Sequence, residues 1–260
     1  MEAASNALNR LQQRLAGLPE IDGIRLQAEL AESYRALGQL ALLFSALERG
    51  IELGRLRHDN ALLRLTALGF AAAGALDRAL GIPGLIRDVQ KADRLRLTLF
   101  ERTLYDDRDP AEGYRLLERL DVFRLPGYRL RAALMLFQFA TAHELAAKRA
   151  DYLHVVTRTL GEFRDQPEDY AIAQAVVGRW LLRSGENTLA RQAFNEAQMG
   201  AMSLAGETGD KTRQVVALQL AKAGLTAEAK TLAGLISAEA LRQETTTTIQ
   251  TLEKIWLTDR

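Results

Sequence analysis

The spacing of apolar residues constrains this chain more than any other feature of its sequence. Apolar residues recur three or four positions apart almost from end to end, as in Leu26, Leu30, Tyr34 and Leu37. This interval places side chains on one face of an α-helix, whereas a strand needs alternating apolar and polar residues, which are nowhere sustained here. Glycine or polar residues interrupt the pattern about every 15–20 residues, a length typical of antiparallel helix pairs. The sequence therefore predicts an all-α fold.

The most regular segment runs from Pro167 to Gly200. It combines apolar, small and aromatic residues at helical intervals, with a glycine in the middle where the chain would turn. These residues are, in order, Val177, Gly178, Leu181, Gly185, Ala190, Phe194 and Ala197. Small side chains at Gly178 and Ala190 would let two helices approach closely, so we expect these two residues to face each other. Phe194 would fill the space towards the next helix pair.

Looser copies of this segment occur elsewhere in the chain. The next copy follows after 39 residues and contains Val216, Ala217, Leu220, Gly224 and Ala229. Earlier copies are centred on turns at Gly38, Gly74 and residues 106–110. The copy at Gly74 departs from the pattern at residues 81–84, where the sequence Gly-Ile-Pro-Gly should break the second helix. The acidic turn of the third copy, with three aspartates, is interpreted as the cap of a helix that begins at Pro110.

The two ends of the chain have helical patterns of their own. The first 18 residues form a predicted amphipathic helix whose apolar stripe consists of Leu8, Leu11, Leu15 and Leu18. The last segment, Leu241 to Leu257, places Ile249, Leu252 and Trp256 on one face. A stack of helix pairs needs such a helix to cover its last apolar face, so we expect this segment to act as a C-terminal cap.

Taken together, these copies resemble the tetratricopeptide repeat, most closely over residues 167–240. The resemblance implies a right-handed α-solenoid of about six antiparallel helix pairs, closed by the capping helix. It further implies that residues 1–260 form a single helical repeat domain.

In tetratricopeptide stacks, the inner groove is lined by the first helix of each pair. Carried onto the matching units, the resemblance implies nine groove residues: Arg25, Glu32, Arg35, Arg64, Arg102, Tyr105, Arg179, Arg183 and Gln214. Most are arginines, whose planar guanidinium groups make paired hydrogen bonds to carboxylates. The groove would therefore suit an acidic peptide segment or a free carboxylate. The alternative is that these arginines are solvated and have no partner, and the sequence leaves both interpretations open.

Several chemistries lack the residues that they need. The chain contains no cysteine, which excludes disulfides, thiol catalysis and thiolate metal sites. The pair His143-Glu144 has no second histidine at helical spacing, and a metal shared by His143 and His154 has nothing else to support it. No Gly-x-Ser-x-Gly motif is present. We therefore expect no catalytic residue, no cofactor and no metal.

The segment Gly206 to Thr212 superficially resembles a phosphate-binding loop. However, Asp210 stands between the glycine and the lysine, where it would repel phosphate, and the preceding pattern is helical rather than extended. We interpret Gly206 to Asp210 as the end of one helix followed by the N-cap of the next.

Charge and hydropathy restrict the classes of partner and the cellular location that the sequence predicts. With 34 basic and 33 acidic residues, the net charge is +1, and nothing in this balance predicts nucleic-acid binding. The longest mostly apolar run, Thr66 to Leu76, is too short to cross a bilayer. We expect a soluble, cytoplasmic protein without membrane insertion, or a periplasmic one if a signal peptide has been removed.

The leading functional hypothesis is a non-enzymatic scaffold or adaptor that binds a peptide or protein partner in its concave groove. The alternative is a helical regulatory domain of a larger signalling or secretion assembly, in which the stack also associates with itself as a homo-oligomer. A third class, an all-α enzyme, would bring histidine, tyrosine, arginine and carboxylates together in one pocket. A scaffold would instead spread its polar residues along an open groove.

Overall fold

A computed structural model of the chain describes residues 10, 13, 15, 17–105, 115–116, 119–143 and 145–258. Over these residues it contains thirteen α-helices, two 3₁₀ turns and no strand, so the all-α prediction is confirmed. Of the predicted N-terminal stripe, Leu15 is buried and Leu18 is exposed, while Leu8 and Leu11 lie outside the described residues. The predicted acidic turn at 106–110 also lies outside them.

Contacts group the chain into two compact units, Met1–Tyr128 and Arg129–Arg260, which are described in turn. The single repeat domain and the right-handed solenoid stay predictions. The first helices are α1 (Glu20–Glu29), α2 (Ala31–Ala36), α3 (Leu40–Arg57), α4 (Asn60–Ala72), α5 (Leu76–Gly81) and α6 (Val89–Tyr105). The remaining helices are α7 (Pro126–Ala142), α8 (Ala146–Gly161), α9 (Pro167–Arg183), α10 (Asn187–Ser203), α11 (Gly206–Lys222), α12 (Thr226–Gly234) and α13 (Glu239–Thr258).

In the first unit, helices α3 and α4 pack closely because glycines line their contact. A Cβ atom on Gly50 would lie 2.7 Å from Oγ1 of Thr66, and one on Gly54 would lie 2.8 Å from Cγ of Leu63. The partner's residue number falls as the number of the glycine rises, so the two helices are antiparallel. A hydrophobic core cluster surrounds them, and its large buried members include Tyr34, Leu43, Leu47, Leu63, Phe70 and Leu99.

The four predicted glycine turns and the predicted helix break are confirmed. Gly38, Gly74, Gly185 and Gly224 have φ between 71° and 84°, and each lies two residues after the end of a helix. Glycine suits this left-handed conformation because it has no Cβ to strain. Helix α5 ends at Gly81, where a 3₁₀ turn over Ile82–Leu85 replaces it.

In the second unit, α9 and α10 form the antiparallel pair that the most regular sequence segment predicts. A Cβ atom on Gly178 would lie 3.0 Å from Cδ1 of Phe194, and one on Gly200 would lie 3.1 Å from Cβ of Ala171. The atoms nearest to a Cβ on Gly178 therefore belong to Phe194, and the close contact between Gly178 and Ala190 stays a prediction. Gly178 lies five residues before the end of α9 and Phe194 seven residues after the start of α10, whereas the buried Ala190 lies three residues after that start.

The helices that follow continue the same pattern of contacts. Helix α9 contacts α10 and α11, and α11 contacts α12 and α13. Helix α13 also packs against α12, and its Thr245 and Ile249 side chains are fully buried. The hydroxyl groups of Thr245 to Thr248 each donate a hydrogen bond to the carbonyl four residues earlier. The last helix therefore covers α11 and α12, as the C-terminal segment of the sequence suggests.

The segment from Gly206 to Asp210 is not a boundary between two helices. Helix α11 begins at Gly206 itself, whose φ is 67°, so Asp210 is the fifth residue of the helix and the N-cap interpretation is wrong. The buried Asp210 carboxylate accepts hydrogen bonds at 3.0 Å from the backbone N–H groups of Ser237 and Ala238. Arg213 Nη1 donates a third, at 2.8 Å. Asp210 therefore holds the segment that leads into α13.

Asp93 in the first unit has the same arrangement. It is the fifth residue of α6 and is fully buried. Its Oδ2 atom accepts hydrogen bonds from the backbone N–H groups of Arg124 and Leu125 at 3.0 and 2.7 Å, directly before α7. Arg96 Nη1 donates to Oδ1 at 2.5 Å. We call each of these two arrangements an Asp–Arg brace.

Candidate functional site

Two predicted groove residues of the first unit bind each other. Arg102 Nη2 in α6 donates a hydrogen bond to Oε1 of Glu32 in α2, at 2.7 Å. The contact confirms that these two helices present side chains to a common surface. It also neutralises Arg102, although an exposed ion pair of this kind contributes only about 0–1 kcal/mol to stability.

Three other predicted residues of this unit have local surroundings that need no partner. Arg25 lies 3.8 Å from the carboxylates of Asp22 and Asp59. The guanidinium group of Arg35 lies over the Gly74 turn, where a Cβ atom would be 3.2 Å from its Cζ. The side chain of Tyr105 is 65% exposed. For these residues the solvated interpretation accounts for what is observed.

Arg64 lies elsewhere in the first unit, in a cavity between α4 and α6. Lys91 and Arg94 line the same cavity. The sequence pattern missed both residues, because the register taken for α6 placed the groove near Arg102 and Tyr105 instead.

In the second unit, Arg179 and Arg183 of α9 lie near Arg131 of α7. We call these three residues the arginine cluster. Burial lowers the pKa of Arg179, and the like charges of Arg183 and Arg131 lower this pKa further. The Nε atom of Arg179 is buried and has no hydrogen-bond partner. Arg183 lies over the Trp180 ring, 5.9 Å from its centroid.

The arginine cluster lacks an acidic counterpart. Within the described part of the chain, none of its three members forms an ion pair. Like charges held together at a half-buried position are unfavourable unless an anion binds there. Arg131 was not predicted, because residues 127–163 carry no clean repeat motif from which to carry over a groove position. The remaining predicted residue, Gln214, is half-buried on α11, which packs against α9.

A second polar group of this unit lies in a cavity of about 300 Å³ between α8, α9 and α10. There, Oε2 of Glu196 accepts hydrogen bonds from the Tyr170 hydroxyl at 3.1 Å and from Nε2 of Gln174 at 2.5 Å. Gln174 is itself buried. These bonds join α9 to α10, so the network has a structural role that is complete without a ligand.

Two further features concern metals and membranes. The described residues contain no group of three or more His, Asp or Glu side chains placed to hold a metal ion. In the same part of the chain, no helix combines the length and the apolar character that crossing a bilayer requires.

Models of known protein families, curated proteins and solved structures were each compared with the chain, and none of them matches it.

Proposed function

We propose that this chain is a non-enzymatic, tetratricopeptide-like scaffold or adaptor that binds an acidic segment of a peptide or protein partner. In this proposal the helix pairs stack into a right-handed solenoid whose groove includes the arginine cluster. The observation that carries the proposal is Arg179, a half-buried cation with two like charges beside it and no acidic partner.

Helix contacts within each unit support a repeat stack. In the second unit, the first helix of one pair contacts the first helix of the next, as α9 does with α11 and α11 with α13. The second helix of each pair contacts the same neighbour, as α10 does with α11. In the first unit, α4 contacts α1 and α6 in the same way, and α3 packs against α1 and α4. Stacking of this kind aligns first helices side by side, which is how repeat proteins form extended binding surfaces.

The chemistry of the arginine cluster favours a carboxylate over other ligands. An incoming carboxylate would accept paired hydrogen bonds from a guanidinium group and offset the repulsion between Arg179 and its neighbours. Because Arg179 is half-buried, its contact with a ligand would be screened less by water and salt than a fully exposed ion pair. An acidic side chain or a chain terminus supplies such a group.

The distribution of polar residues favours a scaffold over an enzyme. The nine predicted groove residues lie on six helices, α1, α2, α4, α6, α9 and α11, instead of converging around one cavity. Catalysis requires an acid, a base or a nucleophile within hydrogen-bond reach of a common point. A peptide that lies along a groove can use polar residues from successive repeats.

Binding of a defined acidic probe tests the proposal. We expect a fluorescein-labelled peptide rich in glutamate, with a free C-terminal carboxylate, to bind the full chain in a fluorescence-anisotropy titration. The variant Arg179→Ala/Arg183→Ala should weaken this binding about tenfold or more, and the loss should shrink as salt rises. Arg→Lys changes at both positions should recover part of the affinity, because lysine keeps the charge but cannot make paired bonds.

A matched variant controls for net charge. Arg164 and Arg191 are exposed residues of the same unit, and Arg164→Ala/Arg191→Ala removes the same two charges. If the control variant and the α9 variant weaken binding equally, the effect is one of overall charge and the proposal fails. It fails as well if the α9 variant binds the probe as tightly as the original chain at low salt.

A further inference from the structure

The first unit contains a larger basic surface that has no assigned role. Two adjacent cavities, of about 490 and 420 Å³, share Asn60 at the start of α4. They lie at the end of α3, along α4 and at the start of α6. Six basic residues line them, which we call the α4–α6 basic surface: Arg55, His58, Arg64, Arg87, Lys91 and Arg94.

No carboxylate lines either cavity. The three nearest along the chain, Asp59, Asp88 and Asp93, are already engaged, Asp93 in the Asp–Arg brace of the first unit. Asp59 Oδ1 accepts hydrogen bonds from the backbone N–H groups that open α4, and its Oδ2 lies 3.8 Å from Arg25. Asp88 Oδ1 accepts one from the backbone N–H of Lys91, and its Oδ2 lies 3.7 Å from the Lys91 ammonium group. Asp59 and Asp88 are therefore turned towards their own helices.

The charge of the arginines on this surface is not balanced by neighbouring carboxylates. Within the described residues, Arg55, Arg64, Arg87 and Arg94 form no ion pair, and all four are exposed. Arginines elsewhere in the unit differ, because Arg49, Arg78 and Arg119 each lie within 3.0 Å of a carboxylate. The unbalanced charge is thus concentrated where α3, α4 and α6 meet.

The lining indicates which polyanion fits best. No phenylalanine, tyrosine or tryptophan lines either cavity, so the large aromatic rings on which bases of single-stranded nucleic acids stack are missing there. The uncharged part of the lining is mainly aliphatic, and Leu85 is 38% exposed. Guanidinium groups beside an accessible aliphatic side chain match a peptide in which acidic and apolar residues alternate.

We propose that the α4–α6 basic surface is a binding site for a peptide segment in which acidic and apolar residues alternate. Arg64 and Arg94 bind its carboxylates in one cavity, from α4 and α6, and Leu85 contacts an apolar side chain in the adjacent cavity. This site is separate from the arginine cluster, in different residues of a different unit, and it does not depend on the function proposed there.

The test uses the full chain and a fluorescein-labelled peptide of alternating glutamate and leucine, followed by fluorescence anisotropy. The variant Arg64→Glu/Arg94→Glu should bind this peptide about tenfold more weakly or worse, because both contacts become repulsive. The control Arg164→Glu/Arg191→Glu makes the same change of net charge at exposed residues outside the two cavities, and it should retain most of the affinity. Thermal unfolding verifies that each variant is folded.

Two further arms separate the alternatives. The Arg179→Ala/Arg183→Ala variant should keep the affinity that the α4–α6 site provides. If that variant alone loses the glutamate–leucine peptide, the inference is wrong while the function proposed above stands. An oligothymidylate provides the second arm. If it binds more tightly than the peptide, and Arg64→Glu/Arg94→Glu abolishes that binding, the ligand of this site is a nucleic acid and the inference is wrong. Unchanged peptide binding in Arg64→Glu/Arg94→Glu overturns the inference outright.

Discussion

The two Asp–Arg braces have the same arrangement in two stretches of sequence that lie far apart along the chain. Asp93 and Asp210 are each the fifth residue of a 17-residue helix, and each binds an arginine three positions on. Each carboxylate also accepts hydrogen bonds from two backbone N–H groups directly before a later helix. The N–H groups at the start of a helix have no acceptor within that helix. A buried carboxylate that accepts hydrogen bonds there therefore holds the start of the helix in place.

The two braces differ in how many chain segments they join. In the second unit, Arg213 Nη2 also donates to the carbonyl oxygen of Leu204, at 2.5 Å. This holds the turn before α11 so close that a Cβ on Gly209 would lie 2.6 Å from that same oxygen. The first unit has Ala92 at the corresponding position, and it is buried without a clash. The first brace thus joins two segments and the second joins three.

The braces also bear on function, because each one fixes how its own helix, α6 or α11, is rotated about the helix axis. In α6, Asp93 is buried, whereas its neighbours Lys91 and Arg94 line a cavity of the α4–α6 basic surface. Anchoring Asp93 therefore determines which side chains of α6 are offered to a partner. In α11, Gln214 directly follows Arg213 of the second brace, so the brace likewise determines on which side of the helix Gln214 lies.

The largest effect is expected at Asp93. The substitution Asp93→Ala leaves the buried Arg96 guanidinium without its carboxylate and two backbone N–H groups without their acceptor. Removing one partner of a buried pair costs about 3–5 kcal/mol. Urea unfolding followed by circular dichroism measures this change, and a loss below about 1 kcal/mol would mean that water or a rearranged loop replaces the carboxylate.

The second brace should respond to pH as well as to mutation. Hydrogen bonds from Ser237, Ala238 and Arg213 hold the pKa of Asp210 below its usual range. A carboxylate with a depressed folded-state pKa stabilises the protein above its unfolded-state pKa, about 3.9, and this contribution is lost as pH falls through the folded value. Asp210→Asn should therefore lower stability near neutral pH by less than Asp93→Ala does, and the deficit should shrink below about pH 4. A deficit that is constant across pH 2–7 would contradict this account.

A smaller effect is expected from the glycine that distinguishes the two braces. Gly209→Ala should force the Leu204 carbonyl away from the helix, at a cost of about 1–3 kcal/mol. The reverse change in the first unit, Ala92→Gly, relieves no clash but removes a buried methyl group from the core, and it should cost about 1–2 kcal/mol through helix propensity and lost burial. Thermal unfolding of both variants checks the ranking. Gly209→Ala with unchanged or raised stability would show that the turn before α11 is free to move.

The smallest effect is expected at Asp22, which has the same sequence spacing to Arg25 but no brace. The two side chains are 54% and 45% exposed and lie 3.8 Å apart. An exposed pair of this kind contributes little, so Asp22→Ala should change stability by less than about 0.5 kcal/mol. A loss as large as that of Asp93→Ala would show that the Asp-x-x-Arg spacing itself, and not its burial, produces the stabilisation.

Helix positions and turns could be predicted from the sequence because they depend on local chemistry. Apolar spacing indicated the all-α fold, and Gly38, Gly74, Gly185 and Gly224 marked turns because only glycine adopts their conformation easily. The site was predicted less well. Arg179 and Arg183 do lie in a basic cluster, but their neighbour Arg131 comes from a helix 48 residues earlier in the chain. Glu32 and Arg102 bind each other although 70 residues separate them.

By itself the sequence determined that the chain is helical and where its glycine turns lie, since hydrogen bonds within a helix link residues only four apart. It also determined that aspartate and arginine share one helix face at positions 22 and 25, 93 and 96, and 210 and 213. Only the tertiary structure decided that the last two pairs are buried and the first is exposed. The reason is that a buried carboxylate needs further donors, and these come from backbone N–H groups 27 to 32 residues away along the chain.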